Sequence, residues 1–149
     1  MITIDSNILI YAVDNTQGRK HDIAIEIVER AMTTDLVITA QVIGEYLAVV
    51  HRKMPPLLPT AIDQAKQLAI LCPPVPTTID HLAAGALMAG THRLQFWDSV
   101  IWQVAASREV RWFLSEDMQD GFSHSGMAAL NPFNPANRDI VEAMFAHKA

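Results

Sequence analysis

Ile2-Thr3-Ile4-Asp5-Ser6-Asn7-Ile8-Leu9-Ile10-Tyr11-Ala12 places three strand-forming residues before an acid and an apolar-rich run after it. Ile2 to Ile4 reads as a short buried strand, since β-branched residues suit a pleated sheet. Ser6 to Val13 reads as a short helix carrying Ile8, Leu9 and Ala12. Asp14-Asn15-Thr16-Gln17-Gly18 is rich in turn formers and ends it. A strand that passes straight into a helix, with an acid at the joint, is a unit of α/β architecture.

The rest of the chain repeats that alternation. Arg19 to Met32 is predicted helical, because Ile23, Ala24, Ile27, Val28 and Ala31 form one stripe. Leu36-Val37-Ile38 is a predicted strand, and Thr39 is placed to cap the next helix, which carries Ile43, Leu47 and Val50. Pro55, Pro56 and Pro59 mark a loop, and Thr60 is read as the cap of a helix reaching about Ile70. Pro73, Pro74 and Pro76 end that segment, with a short strand through Val75. His81 to Ala89 is predicted helical with Gly90 as its stop. Trp97 to Ala106 is a further helix, with Val100, Ile101, Val104 and Ala105 inside. Val110 to Leu114 and Met127 to Leu130 are predicted strands, and Ala136 to Ala146 a last helix. The expected fold is an α/β sandwich with a central, mostly parallel sheet, in a single domain over residues 1–149.

Composition narrows the function. Half of the 149 residues are hydrophobic, enough for a sizeable core. No apolar run reaches the ~18 residues of a membrane span. No basic segment precedes the first strand, so a secretory signal is not expected and a cytoplasmic location is the default. One cysteine, Cys72, excludes an internal disulfide and a zinc knuckle, and is read as buried and inert. A net charge of −5 argues against coating nucleic acid by charge alone. It leaves room for carboxylates that hold a cation, which would reverse the local sign.

The acids fall where chemistry is expected. In open α/β sheets ligands bind beyond the carboxyl ends of the strands. Asp5 follows the first strand, and Glu116, Asp117 and Asp120 follow the Val110–Leu114 strand. Asp98 lies in the first turn of its helix, and Glu45 lies within the otherwise apolar Val42–Val50 stretch. Each has a plain structural reading: a cap for Asp5, a helix-dipole partner for Asp98, a turn for Asp117, a solvated helix residue for Glu45. Together they gather like charges, whose repulsion and burial a hard divalent cation relieves. Mg²⁺ or Mn²⁺ so held can lower the pKa of water and stabilise charge on a phosphate oxygen.

The acid-bearing blocks resemble one family. Ile2 to Ala12 looks like the opening strand and metal-binding aspartate of the PIN-domain ribonucleases, particularly the VapC type of bacterial toxin–antitoxin systems. Ile38-Thr39-Ala40-Gln41-Val42-Ile43-Gly44-Glu45-Tyr46 resembles the segment carrying that family's glutamate. Leu94-Gln95-Phe96-Trp97-Asp98-Ser99-Val100-Ile101 resembles its most recognisable block. Leu114-Ser115-Glu116-Asp117-Met118-Gln119-Asp120-Gly121 resembles its last acidic segment, and Asn131-Pro132-Phe133 its closing strand and turn. The resemblance implies a PIN-like three-layer α/β/α sandwich and an endoribonuclease dependent on Mg²⁺ or Mn²⁺. It implies metal and catalytic roles for Asp5, Glu45, Asp98 and Asp117. Asp5 and Asp98 would be direct ligands, while Glu45 and Asp117 would bind through water or hold a second ion. Asn7 and Ser115 would orient the carboxylates, with Asp120 a lesser outer acid. It also implies an RNA substrate, an antitoxin partner and a homodimer. Ser99 stands where the family often has alanine, and Gly44 costs ~1 kcal/mol against alanine inside a helix.

Other residue types carry less. His21, His51, His81, His92, His124 and His147 lack zinc-motif spacing and read as surface or structural, though His92 with Arg93 is near enough to the Asp98 block to touch a phosphate. Trp97, Trp102 and Trp112 are suited to base stacking, but core packing is the expectation for them. Arg19-Lys20, Arg52-Lys53 and Arg108 are candidates to guide RNA or plain solvated surface. No nucleophile elbow or glycine-rich phosphate loop is present. Two rival readings are a non-catalytic PIN-like module binding RNA or protein, which would lose its acids, and an aspartate-nucleophile phosphatase. The latter would need a second aspartate where Asp5-Ser6-Asn7 has none.

Overall fold

A parallel strand pair needs a crossover to return the chain to the same end, and here the first crossover holds most of the protein. β1 (Ile2–Ile4) pairs in parallel with β2 (Trp112–Leu114), which pairs in parallel with β4 (Met127–Leu130). β3 (Ser123–His124) is an antiparallel edge on β4, giving the order β1-β2-β4-β3. Between β1 and β2 run α1 (Ser6–Val13), α2 (Arg19–Met32), α3 (Ala40–Lys53), α4 (Leu58–Leu71), α5 (Ile79–His92) and α6 (Phe96–Ala106). α7 (Arg138–Ala146) follows the sheet. The computed structural model describes residues 1–146, so His147 lies outside the described residues. The mixed, mostly parallel sheet is flanked by helices, as an α/β/α sandwich requires.

Every residue of β1 is buried, as the short apolar run predicts. Its neighbours in the core include Ile8, Ile38, Ile101, Trp102, Phe113 and Leu114. α5 and α6 pack so closely that a Cβ on Gly85 would meet Val100 Cγ2 at 2.7 Å, so a glycine is needed there for contact rather than for backbone freedom. Among the described residues no helix is long and apolar enough to cross a membrane.

Several local expectations change. Leu36–Ile38 lies beside β1 but has only one isolated bridge, Leu36 to Ile2, and Val75 has only one, to Thr39, so neither is a regular strand. Thr60 is not a cap: a 3-10 turn, Pro55–Leu57, leads into α4, whose first turn takes Pro59. Proline suits a first turn because its missing N–H would have no helical partner. Gly90 does not stop α5, which runs on to His92 and ends with Arg93 in the left-handed region at φ 56°. α5 also starts earlier, at a reciprocal cap between Thr78 and His81. The strand predicted from Val110 is regular only from Trp112, and the last helix begins at Arg138 after a 3-10 turn, Pro135–Asn137. β3 is an addition to the predicted elements.

Candidate active site

The carboxyl ends of β1 and β2 lie side by side because their ladder continues past both strands. Asp5 N–H donates to Leu114 O, and Ser115 N–H donates to Leu130 O. Asp5 therefore leaves β1 next to the Ser115–Asp117 turn that leaves β2. It is also the N-cap of α1, its Oδ1 accepting from Ser6 N at 2.7 Å. The plain reading of this residue as a cap therefore holds.

Asp5 is 2 % exposed and held from several sides. Its Oδ2 accepts from Ser115 Oγ at 2.6 Å and from Asn7 Nδ2 at 3.3 Å. Asn7 Nδ2 also donates to Asp117 Oδ2 at 3.3 Å, so one amide bridges two acids. Ser115 Oγ in turn accepts from the backbone N–H of Asp117 and Met118, which fixes the turn. The expected orienting roles of Asn7 and Ser115 match these contacts.

Glu45 comes from α3, whose cap is Thr39 as expected. Ser6 Oγ donates to Glu45 Oε2 at 3.2 Å, and Gln41 Nε2 donates to Glu45 Oε1 at 2.7 Å. Asp98 sits partly buried in the first turn of α6, within electrostatic reach of Asp5, Asp117 and Glu45. The structure thus brings together the four acids that the sequence singled out.

Their electrostatics record the crowding. Burial lifts the Asp5 carboxyl to about 6, with the charges of Asp117 and Glu45 adding to the rise and the Ser115 and Ser6 hydrogen bonds opposing it. Asp98 is pushed to about 7, first by burial and then by Asp5, Asp117 and Glu45. Asn7 Oδ1 and Gln41 Oε1 are buried oxygens with no hydrogen-bond partner, on side chains whose amide nitrogens serve the acids.

These features suit a divalent cation. The donor set is oxygen throughout, which hard cations prefer, and Mg²⁺ commonly takes one or two carboxylates and keeps several waters. Waters around a cation would offer donors to the two unmatched amide oxygens. Among the described residues no group of three or more His, Cys, Asp or Glu forms a ready-made cage. An open cluster completed by water and substrate is the arrangement that fits.

Other candidates lie elsewhere. Asp120 is not an outer acid of the cluster. Burial is the largest single influence on its carboxyl and raises it, but hydrogen bonds from the Asn131 backbone, Asn134 Nδ2 and Asn137 Nδ2 together outweigh that and hold it below the usual range. Glu116 pairs with Lys20 and accepts from Tyr11, so Lys20 is engaged rather than free to guide RNA. Lys20 also lies 5.1 Å from the Tyr11 ring centre. His92 meets Phe122 and His124 in edge-to-face contacts rather than the acids. Cys72 is only half-buried, though burial still raises its thiol. Trp102 is fully buried as expected, but Trp97 is 55 % exposed, against the core expectation. Sequence reasoning passed over Ser6 and Gln41. Gln41 was findable, since it stands four residues before Glu45 on a helix, where side chains meet.

The family model of the PIN domain matches residues 2–124, a stretch that includes all four acids. A comparison with curated proteins finds no match.

Proposed function

Because this chain belongs to the PIN domain family, a fold generally used by nucleases, we propose that it is a divalent-metal-dependent endoribonuclease, the toxin of a toxin–antitoxin pair. The observation that carries the nuclease reading is the crowding of Asp98 and Asp5. Two carboxyls raised to about 7 and about 6 by burial and by neighbouring acids are costly to the fold unless a cation or substrate group uses them. A divalent ion bound here would neutralise phosphate charge and make water a better nucleophile.

The chain's own groups then have distinct work. Asp5 and Asp98 are the proposed direct ligands, and Glu45 and Asp117 hold water or a second ion. Ser115 and Asn7 keep the Asp5 Oδ2 edge in place, and Asn7 keeps Asp117 beside it. Ser6 and Gln41 hold both oxygens of Glu45. An ionised carboxylate of this group takes the proton of the attacking water, a transfer that needs only hydrogen-bond reach. Retention of all four acids disfavours the non-catalytic module. Exposed Ile79 and Leu87 on α5, and Ile70 and Leu71 on α4, support partner chains, either an antitoxin or a second copy.

The test is cleavage of a mixed RNA pool by the purified protein with Mg²⁺, with Mn²⁺ and with EDTA, beside Asp98→Asn. Metal-dependent cleavage lost in the variant is expected. Equal cleavage by the two proteins, or none with either metal after any co-purified partner is stripped, overturns the nuclease reading. Toxicity is read separately, as growth arrest on expression that Asp98→Asn abolishes.

A further inference from the structure

Three consecutive residues leave β2, and the fold anchors each in a different place. Ser115 Oγ donates to Asp5 at the end of β1. Asp117 Oδ2 accepts from Asn7 Nδ2 in the first turn of α1. Glu116, between them, turns toward the next turn of α1 and toward α2. Its Oε2 accepts from Tyr11 Oη, and its Oε1 pairs with the Lys20 ammonium. Asn7 and Tyr11 stand four residues apart and so share one face of α1. That face receives two neighbouring acids, one per helical turn.

The two grips are unequal. Asp117 is exposed, and its bond from Asn7 is long at 3.3 Å. The Glu116 side chain is only 23 % exposed and takes a charged and a neutral donor at once. Both donors are braced in turn. The Tyr11 ring meets Phe133 edge to face, with centroids 5.2 Å apart. Lys20 Nζ lies 5.1 Å from the centre of the Tyr11 ring and 5.9 Å from that of Phe133, within cation–π range of both. His21, the next residue on α2, donates through Nδ1 to Tyr11 O at 2.8 Å. The knot joins α1, α2 and the exits of β2 and β4.

A carboxylate is placed only as well as the backbone that carries it. An ion pair this open adds little to stability. Next to Asp117, however, it fixes the neighbouring residue of a loosely held acid. Groups that orient metal-binding side chains without touching the ion typically change metal affinity roughly 10- to 100-fold.

We propose that Glu116, held by Tyr11 and Lys20, is a positioning residue that sets where Asp117 stands in the acid cluster, and through it the affinity of the cluster for a divalent ion. This rests on the metal-dependent reading of the cluster and adds the support of Asp117 to it. Glu116 itself touches neither ion nor substrate.

The test is a titration of the metal-stripped full chain with Mn²⁺ alone, without RNA, followed calorimetrically. Glu116→Ala weakens binding roughly 10-fold. Tyr11→Phe deletes one hydroxyl, leaves every charge in place and weakens it in the same direction by about a factor of a few. Lys20→Met separates positioning from plain electrostatics by sign. Removing a cation near the cluster strengthens Mn²⁺ binding if charge alone matters, and weakens it if Lys20 holds Glu116. In an Asp117→Asn background, where Asp5 and Asp98 keep binding measurable, Glu116→Ala has no further effect, because it acts through the missing acid. A merely structural role would persist there. Unchanged affinity in Glu116→Ala and Tyr11→Phe, tighter binding by Lys20→Met, or an equal loss with and without Asp117 overturns the proposal. Metal-dependent RNA cleavage by the wild type then still upholds the nuclease reading. A loss of Mn²⁺ binding that depends on Asp117, in a protein that cuts no RNA, keeps the positioning role and removes the nuclease reading. No Mn²⁺ binding by the wild type removes both.

Discussion

Asp5 and Asp120 both follow strands of the parallel sheet, one after β1 and the other in the connection after β2, yet the fold treats them in opposite ways. Asp120 is exposed and ringed by donors from Asn131, Asn134 and Asn137, so its carboxyl falls below the usual range. Asp5 has donors too, from Ser6, Asn7 and Ser115, but it is 2 % exposed and shares its surroundings with Asp117 and Glu45. The donors lose to burial and like charge, and the carboxyl rises to about 6. Hydrogen-bond count therefore does not separate the two. What separates them is chiefly the depth of burial, with the charges of Asp117 and Glu45 adding to it at Asp5. Asp120 is satisfied by its own chain and serves the turn before α7. Asp5 keeps a raised carboxyl that the proposed cation would relieve.

The largest effect that tests this contrast is on activity. Asp5→Asn should lower metal-dependent RNA cleavage by at least roughly 10²-fold, the scale on which a single catalytic group acts. Asp120→Asn should leave it within about a factor of a few, since among the described residues the side-chain partners of Asp120 are Asn131, Asn134 and Asn137 and none belongs to the cluster. Parallel single-turnover assays compare them, and equal losses would erase the distinction.

A second effect is on stability against pH, measured by thermal melts in EDTA. Asp5 and Asp98 have folded-state values above those of the unfolded chain, so the folded state binds more protons between pH ~4 and pH ~7. Stability contributed by the protonated groups is present below that window and is lost as the pH rises through it. For Asp5 alone the loss is about 3 kcal/mol, from a rise of roughly two units. Asp120 has the opposite sign: its contribution is present at neutral pH and is lost only as the pH falls below about 4. Added Mg²⁺ should flatten the neutral limb by binding the ionised form. A melt temperature constant from pH 4 to 7 in EDTA would contradict the raised values.

Smaller shifts sharpen the comparison further. Every influence on the Asp98 carboxyl raises it. Asp98→Asn should accordingly stabilise the metal-free protein at pH 7 by about 1 kcal/mol after solvent screening, or roughly 2–4 °C. Asp120→Asn should do the reverse by a similar amount, since it weakens the hydrogen bonds that hold the turn. Calorimetry of the two variants in EDTA reads both signs in one experiment.

Much of this arrangement is legible in the sequence, for identifiable reasons. α2 keeps its predicted bounds, Arg19–Met32, because its apolar stripe is long and regular. β1, β4 and the Thr39 cap are likewise where local pattern puts them. The four acids were found through their order along the chain and their places at element ends, although Glu45 needed the family resemblance to rise above a solvated helix residue. The failures are those of punctuation. Gly90 reads as a stop, yet α5 passes through it because its contacts with α6 outweigh the ~1 kcal/mol cost of glycine in a helix. β3 is too short for any periodicity, and its clue is the Ser125-Gly126 pair, both with positive φ, joining it to β4. The apolar neighbours of Trp97 suggest the core, yet it is exposed, because local pattern does not say which side of the first α6 turn is covered.

The cap at Asp5 bears on how such a protein can lose its activity over time. One carboxylate oxygen, Oδ1, starts α1 through Ser6 N, while the other, Oδ2, faces Ser115 and Asn7. A random change that removes this acid also frays the first helix unless the newcomer is itself a capping residue, such as asparagine or serine. Asp98 carries no such second duty in the start of its helix, where Gln95 is the N-cap residue. Silent inactive descendants of this chain should therefore arise first by loss of Asp98, and those that lose Asp5 should carry asparagine or serine in its place.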